Sequence, residues 1–125
     1  MPTNFPWKKN FNNLGKKEGR KHRRADLSLP VEYRGNNPKS LRLGYTSNLS
    51  PNGVMVTLRE RLRIGQKINL SIFLSLGKEV EAIRVNSRVV WVHGADKEGT
   101  FFSGMKFIDL SPEDREKLRE FFEEY

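Results

Sequence analysis

Leu27-Ser28-Leu29-Pro30-Val31-Glu32-Tyr33 and, after a Gly35-Asn36-Asn37-Pro38 turn, Leu41-Arg42-Leu43-Gly44-Tyr45 decide the fold. In both stretches apolar side chains alternate with polar ones, the period of a half-buried strand. The reading expects Leu27, Leu29, Val31 and Tyr33 on one buried face, and Leu41, Leu43 and Tyr45 on another. The same texture runs on. Val54, Val56 and Leu58 follow Gly53, and a charged stretch to Gly65 separates them from Ile68, Leu70, Ile72 and Leu74. Val80, Ala82, Ile83 and Val85 lead into Val89-Val90-Trp91-Val92, and Phe101 to Ile108 follow a glycine-bounded turn. Six or seven short strands without helical crossovers close most economically as an antiparallel β-barrel.

The period changes at the C-terminus. Ser111 is placed to cap a helix, Pro112 suits its first position, and Asp114 completes a capping-box pattern. Leu118, Phe121, Phe122 and Tyr125 fall at i, i+3, i+4 and i+7, one apolar stripe that packs over a mouth or edge of the barrel. The expected organisation is a flexible basic arm over residues 1–19 and a barrel domain over 20–125, ending in a helix over 111–125.

Composition narrows the function. The 125 residues contain no cysteine, so neither a disulfide framework nor a cysteine zinc site is open. His22 and His93 have no metal-like spacing to each other or to carboxylates. No long apolar run marks a transmembrane helix, and residues 1–19 lack the core of a signal peptide, so a soluble, cytoplasmic chain with no membrane insertion is expected. Charge is uneven. Through Arg24 there are eight basic residues against Glu18, and beyond it fifteen basic against fourteen acidic. A basic arm on a nearly neutral domain points to a local anionic partner.

Two polar patches carry the chemistry. Arg20-Lys21-His22-Arg23-Arg24 forms an RxxxR whose two guanidinium groups lie on one side of an extended or a helical chain. Each fork can bind a phosphate bidentately or read guanine O6 and N7. Asn48-Leu49-Ser50-Pro51-Asn52-Gly53 forms an NxSxxG. There Asn48 and Ser50 point to one side and Leu49 to the other, into the core. Asn48 can accept from a base N–H, and the Ser50 hydroxyl can serve a phosphate or a base edge. Gly53 suits a positive φ or a close backbone approach to a ligand. Together the patches suit a planar, anionic guanine nucleotide.

These residues resemble the PilZ domain family. Arg20 to Arg24 followed by Leu27-Ser28-Leu29-Pro30-Val31 is similar to the opening of that domain, and Asn48 to Gly53 to its (D/N)xSxxG motif. The likeness continues through Val89-Val90-Trp91 and Gly104-Met105-Lys106-Phe107-Ile108-Asp109-Leu110-Ser111 and covers about residues 18–125. It implies a six-stranded antiparallel barrel with a C-terminal helix, acting as a receptor for the bacterial second messenger cyclic di-GMP in pathways such as motility or biofilm formation. Arg20 and Arg24 would then grip phosphate and guanine, facing Asn48, Ser50 and Gly53. Lys21, Arg23, Trp91 and Gly104 are further candidate contacts. Asn48 stands where many members have aspartate. An amide offers one acceptor oxygen where a carboxylate offers two, so Asn48→Asp is expected to change affinity modestly.

No nucleophile–base–acid set, phosphate loop or metal cluster stands out, so a binding module is expected, with no enzyme activity and no cofactor. An unidentified protein effector would receive the signal, the arm closing over the ligand as its charges are neutralised. Two other readings stay open. A small basic barrel can bind single-stranded nucleic acid, although here the basic charge is confined to the arm. The domain can also serve as an adaptor in pilus or motility assembly that binds no nucleotide.

Overall fold

The structure, a computed structural model, describes residues 25–94 and 98–125. The arm and the residues that follow it through Arg24, among them Arg20, Lys21 and Arg23, lie outside the described residues. Six strands follow in order: β1 (Pro30–Arg34), β2 (Leu41–Ser50), β3 (Gly53–Leu58), β4 (Lys67–Leu76), β5 (Glu79–His93) and β6 (Phe101–Leu110), then a helix, α1 (Pro112–Glu124). They close into an antiparallel barrel in the order β1-β2-β3-β6-β5-β4. The expected fold class is the one observed.

The interior is filled by alternate side chains of every strand, among them Val31, Tyr33, Val54, Val56, Leu58, Leu70, Ile72, Ile83, Val85 and Met105. Tyr33 is the largest of them. Burial pushes its hydroxyl pKa up to about 12, and the neighbouring Glu60 carboxylate adds to the rise. Glu60 accepts from the Asn36 amide at 3.2 Å and pairs with Arg42 at 3.2 Å, tying the β1–β2 turn to the loop after β3.

Two expected faces are corrected. Leu41, Leu43 and Tyr45 point outward, at 55, 63 and 52 % exposure, and the buried positions of this stretch are Gly44 and Thr46. The reason is space. A Cβ on Gly44 would lie 2.5 Å from the Leu58 side chain and 3.4 Å from that of Val31. With Leu58 and Val31 filling the interior at this point, only a residue without a side chain fits inward at position 44. The first stretch begins its ladder at Pro30, and Leu27 is exposed, while Leu29, Val31 and Tyr33 are buried as expected. Buried Thr46 accepts from the Leu29 amide at 2.9 Å and donates to the Leu27 carbonyl, which holds the approach to β1 against β2.

Helix α1 starts as expected at its cap. The Asp114 amide donates to Ser111 Oγ at 3.0 Å, and Pro112 occupies the first turn. The reciprocal half of the box is absent, because the Asp114 carboxylate instead accepts from the Arg84 amide at 3.0 Å. Leu118, Phe121 and Phe122 join the barrel core. Tyr125 is exposed on one side and stacks on Phe121 with ring centroids 6.0 Å apart. The Glu124 carboxylate accepts from the Gly77 amide in the β4–β5 turn, so α1 closes that end of the barrel.

Candidate functional site

The NxSxxG hairpin is built by one irregularity. The β2–β3 register shifts between Thr46 and Asn48, so Ser47 is the extra residue of a bulge. Strict alternation from buried Thr46 would aim Asn48 into the core. The bulge reverses this, as bulges do where a side chain must be re-aimed. Leu49 becomes the core residue, opposite Val54, and Asn48 lies opposite Met55, on the outer side of the sheet. A second shift between Val89 and Trp91 does the same for β5, placing Trp91 opposite Gly104. The pairings Asn48–Met55, Met55–Gly104 and Gly104–Trp91 then form one continuous row across β2, β3, β6 and β5.

Gly104 is the seat of the tryptophan. A Cβ there would stand 2.1 Å from Trp91 Nε1 and 2.4 Å from Cε2, so the indole lies directly over the glycine backbone. Any side chain at 104 would displace it. Both residues thus belong to the face that carries Asn48, and Gly104 contributes by holding Trp91.

Asn48 is fully buried. Its Nδ2 donates to Asp26 Oδ1 at 2.9 Å, and its Oδ1 has no hydrogen-bond partner among the described residues. An unfilled buried acceptor is costly, and a ligand donor would satisfy it. Ser50 is occupied with local structure. Its hydroxyl donates to the Gly53 carbonyl and accepts from the Asn52 amide, both at 3.3 Å, which closes the Pro51-Asn52 turn. Of the two uses expected of Gly53, a positive φ is not the one observed. Gly53 begins β3 in an extended backbone, and the positive-φ glycines among the described residues are Gly65, Gly77 and Gly99.

The approach of the arm is fixed at its last step. Ala25 and Leu49 exchange backbone hydrogen bonds of 2.8 and 3.0 Å, so the residue after Arg24 sits beside the middle of the motif. Arg20, Lys21, Arg23 and Arg24 themselves lie outside the described residues.

Sequence reasoning passed over a second row. Gly53 pairs with Lys106, Lys106 with Arg88, and Arg88 with Lys67. All three cations are exposed. Like charges opposite each other on a sheet are unfavourable, so an anion over this row would relieve them. The signal lay in Lys106, within the quoted Gly104–Ser111 segment, but cross-strand register was needed to see its neighbours. Among the described residues there is no cluster of three His, Asp or Glu able to hold a metal ion, and no helix long and apolar enough to cross a membrane.

Comparison with known proteins agrees with the fold. The PilZ domain model matches residues 18–124. The chain belongs to the PilZ domain family, whose members are receptor and adaptor domains. Among solved structures it is similar to the Bacillus subtilis inhibitor of motility MotI/DgrA, with a TM-score of 0.71 at 19 % identity, over 84 % of this chain and 50 % of that one. The chain therefore spans half the length of that protein. It also resembles the PilZ domain of Escherichia coli YcgR with c-di-GMP, with a TM-score of 0.61 at 14 % identity, over 84 and 89 % of the two chains. A third is Borreliella burgdorferi PlzA in complex with c-di-GMP, with a TM-score of 0.56 at 10 % identity, over 94 and 55 %. No curated protein matches by sequence.

Proposed function

We propose that this domain is a receptor for cyclic di-GMP, binding it on the outer face of the barrel between Arg20 and Arg24 of the arm and Asn48, Ser50 and Gly53 of the β2–β3 hairpin. The Ala25–Leu49 bridge carries this reading, because it delivers the chain from Arg24 to the hairpin. Arg20, five residues before Ala25, is then within about 18 Å of the bridge even along a fully extended chain. Two relatives of the same fold, the YcgR PilZ domain and PlzA, are described with c-di-GMP bound.

Each group has a task suited to its chemistry. The arginine forks take phosphate oxygens or the guanine Hoogsteen edge. The unfilled Asn48 Oδ1 accepts from a guanine N–H. Ser50 holds the turn that presents Asn48 and Gly53. Lys106 and Arg88 add positive potential beside Gly53, and Lys21 and Arg23 add it from the arm. Trp91, over Gly104, offers a ring face at the edge of the same row.

Ordering of the arm on the ligand converts binding into a surface that an effector protein can read. Such coupling requires contacts made only in the bound state, and the two arginines supply them. Calorimetric titration tests this reading, with cyclic di-GMP against GTP and a short single-stranded RNA, on the wild type and on Arg20→Ala/Arg24→Ala. Selective binding of cyclic di-GMP is expected, lost in the double variant. Binding of RNA alone, or cyclic di-GMP binding unaffected by the substitutions, would contradict it.

A further inference from the structure

Charge in this domain is segregated along the barrel. The ten residues of β4 separate two ends, the Lys67 end and the Leu76 end closed by α1. At the α1 end the exposed residues include Glu113, Glu116, Glu120, Glu123 and Glu124 against Arg115 and Arg119, the latter paired with Glu116 and Glu123. At the opposite end the β1–β2 turn and the β3–β4 loop are bound together, Asn36 donating to the Arg61 carbonyl at 3.0 Å and Gln66 to Asn36 Oδ1 at 3.2 Å. These two connections and their flanks expose Arg34, Lys39, Arg59, Arg61, Arg63 and Lys67. Among the described residues the acids there are Glu60, already paired with Arg42, and Glu98.

Within this basic end stand two bare aliphatic side chains. Ile64, beside the positive-φ turn at Gly65, is 70 % exposed, and Leu41 at the start of β2 is 55 % exposed. Phe101, an aromatic ring at the same end, is half-buried with the Arg61 guanidinium 5.8 Å from its centroid. Nucleic-acid strands are held by aromatic faces that stack on bases, and this end exposes aliphatic tips instead. Aliphatic tips ringed by cations suit a lipid surface, where the tips enter the headgroup–acyl boundary and the cations meet anionic headgroups.

We propose that the β3–β4 loop, with Ile64 at its tip and Arg59, Arg61 and Arg63 around it, docks this domain peripherally on an anionic bilayer. The domain lies on the surface and does not cross it. The NxSxxG hairpin itself is at the other end of β2.

The absence of cysteine permits a direct test on the full chain. Ile64→Cys and, at the opposite end, Glu120→Cys each carry one polarity-sensitive dye. With vesicles of phosphatidylcholine and phosphatidylglycerol, the dye at 64 is expected to enter an apolar environment and the dye at 120 to stay in water. Vesicles of phosphatidylcholine alone should change neither. Arg59→Ala, Arg61→Ala and Arg63→Ala together should lower the partition read at 64 by on the order of a hundredfold, with the far-ultraviolet circular dichroism unchanged. Vesicle binding with an unmoved dye at 64 would assign the attraction to the basic residues before Ala25 and overturn the proposal. So would a dye at 64 that ignores anionic vesicles, including one that answers only to single-stranded RNA or an acidic peptide.

Discussion

Asn48 shows how much a neighbour changes the meaning of a residue. On the motif alone, aspartate at this position trades one acceptor for two. In the fold, Asp26 lies 2.9 Å from the Asn48 amide nitrogen, and a carboxylate at 48 would face another across a partly buried contact. Asn48→Asp is therefore expected to lower stability by about 1–3 kcal/mol near neutral pH, measured by urea unfolding, and Asp26→Asn in the same chain should restore most of it. An unchanged midpoint would show that the Asn48–Asp26 contact carries no weight. Tyr33 gives a second test at this scale. Its hydroxyl ionises near 10.0 when free and is pushed up to about 12 in the fold, chiefly by burial. The stability this represents is complete below pH 10 and is lost as pH rises towards 12, at up to about 1.4 kcal/mol per pH unit. Tyr33→Phe should flatten that part of the alkaline stability profile, and an unaltered slope would count against it. Neither neighbour was legible in the sequence, because Asp26 and Asn48 are 22 positions apart, and Tyr33 and Glu60 are 27.

The strands were legible because alternation is a local property of the chain. Which face of a strand turns inward is not local. In β2 the alternation of Leu41, Leu43 and Tyr45 was read with the wrong side buried, since the interior at Gly44 is already filled by Leu58 and Val31. The bulge at Ser47 was equally hidden, although it decides that Asn48 faces out and Leu49 faces in. Leu49 was read correctly all the same, from its place within the motif. The helix was the most legible element, with its cap, its proline and its stripe close together in sequence; only the second half of the capping box was drawn off, by the Arg84 amide. Phe121 meets Phe122 edge-on at 5.5 Å and is nearly fully buried in the shared core. Phe121→Ala should cost about 3–5 kcal/mol in chemical unfolding. A loss below 1 kcal/mol would mean that α1 is dispensable to the barrel.

At the scale of the whole molecule, net charge concealed the arrangement of charge. The near balance beyond Arg24 suggested a neutral domain, yet the acids gather on α1 and the cations at the opposite end and along the Lys67–Arg88–Lys106 row. The family, the barrel and its terminal helix could all be read from the chain. The meeting of Asn48, Met55, Gly104 and Trp91 on one outer row could not, because it depends on two bulges and the closure of the sheet. Cyclic di-GMP is proposed to bind that face. Amide chemical-shift mapping of the full chain during titration with cyclic di-GMP tests it most directly. Shifts are expected at Ala25, Asn48 to Ser50, Asn52, Gly53, Gly104 and Lys106, with the β3–β4 loop at Arg59 to Ile64 unmoved. Shifts centred on that loop, or none at saturating ligand, would contradict it.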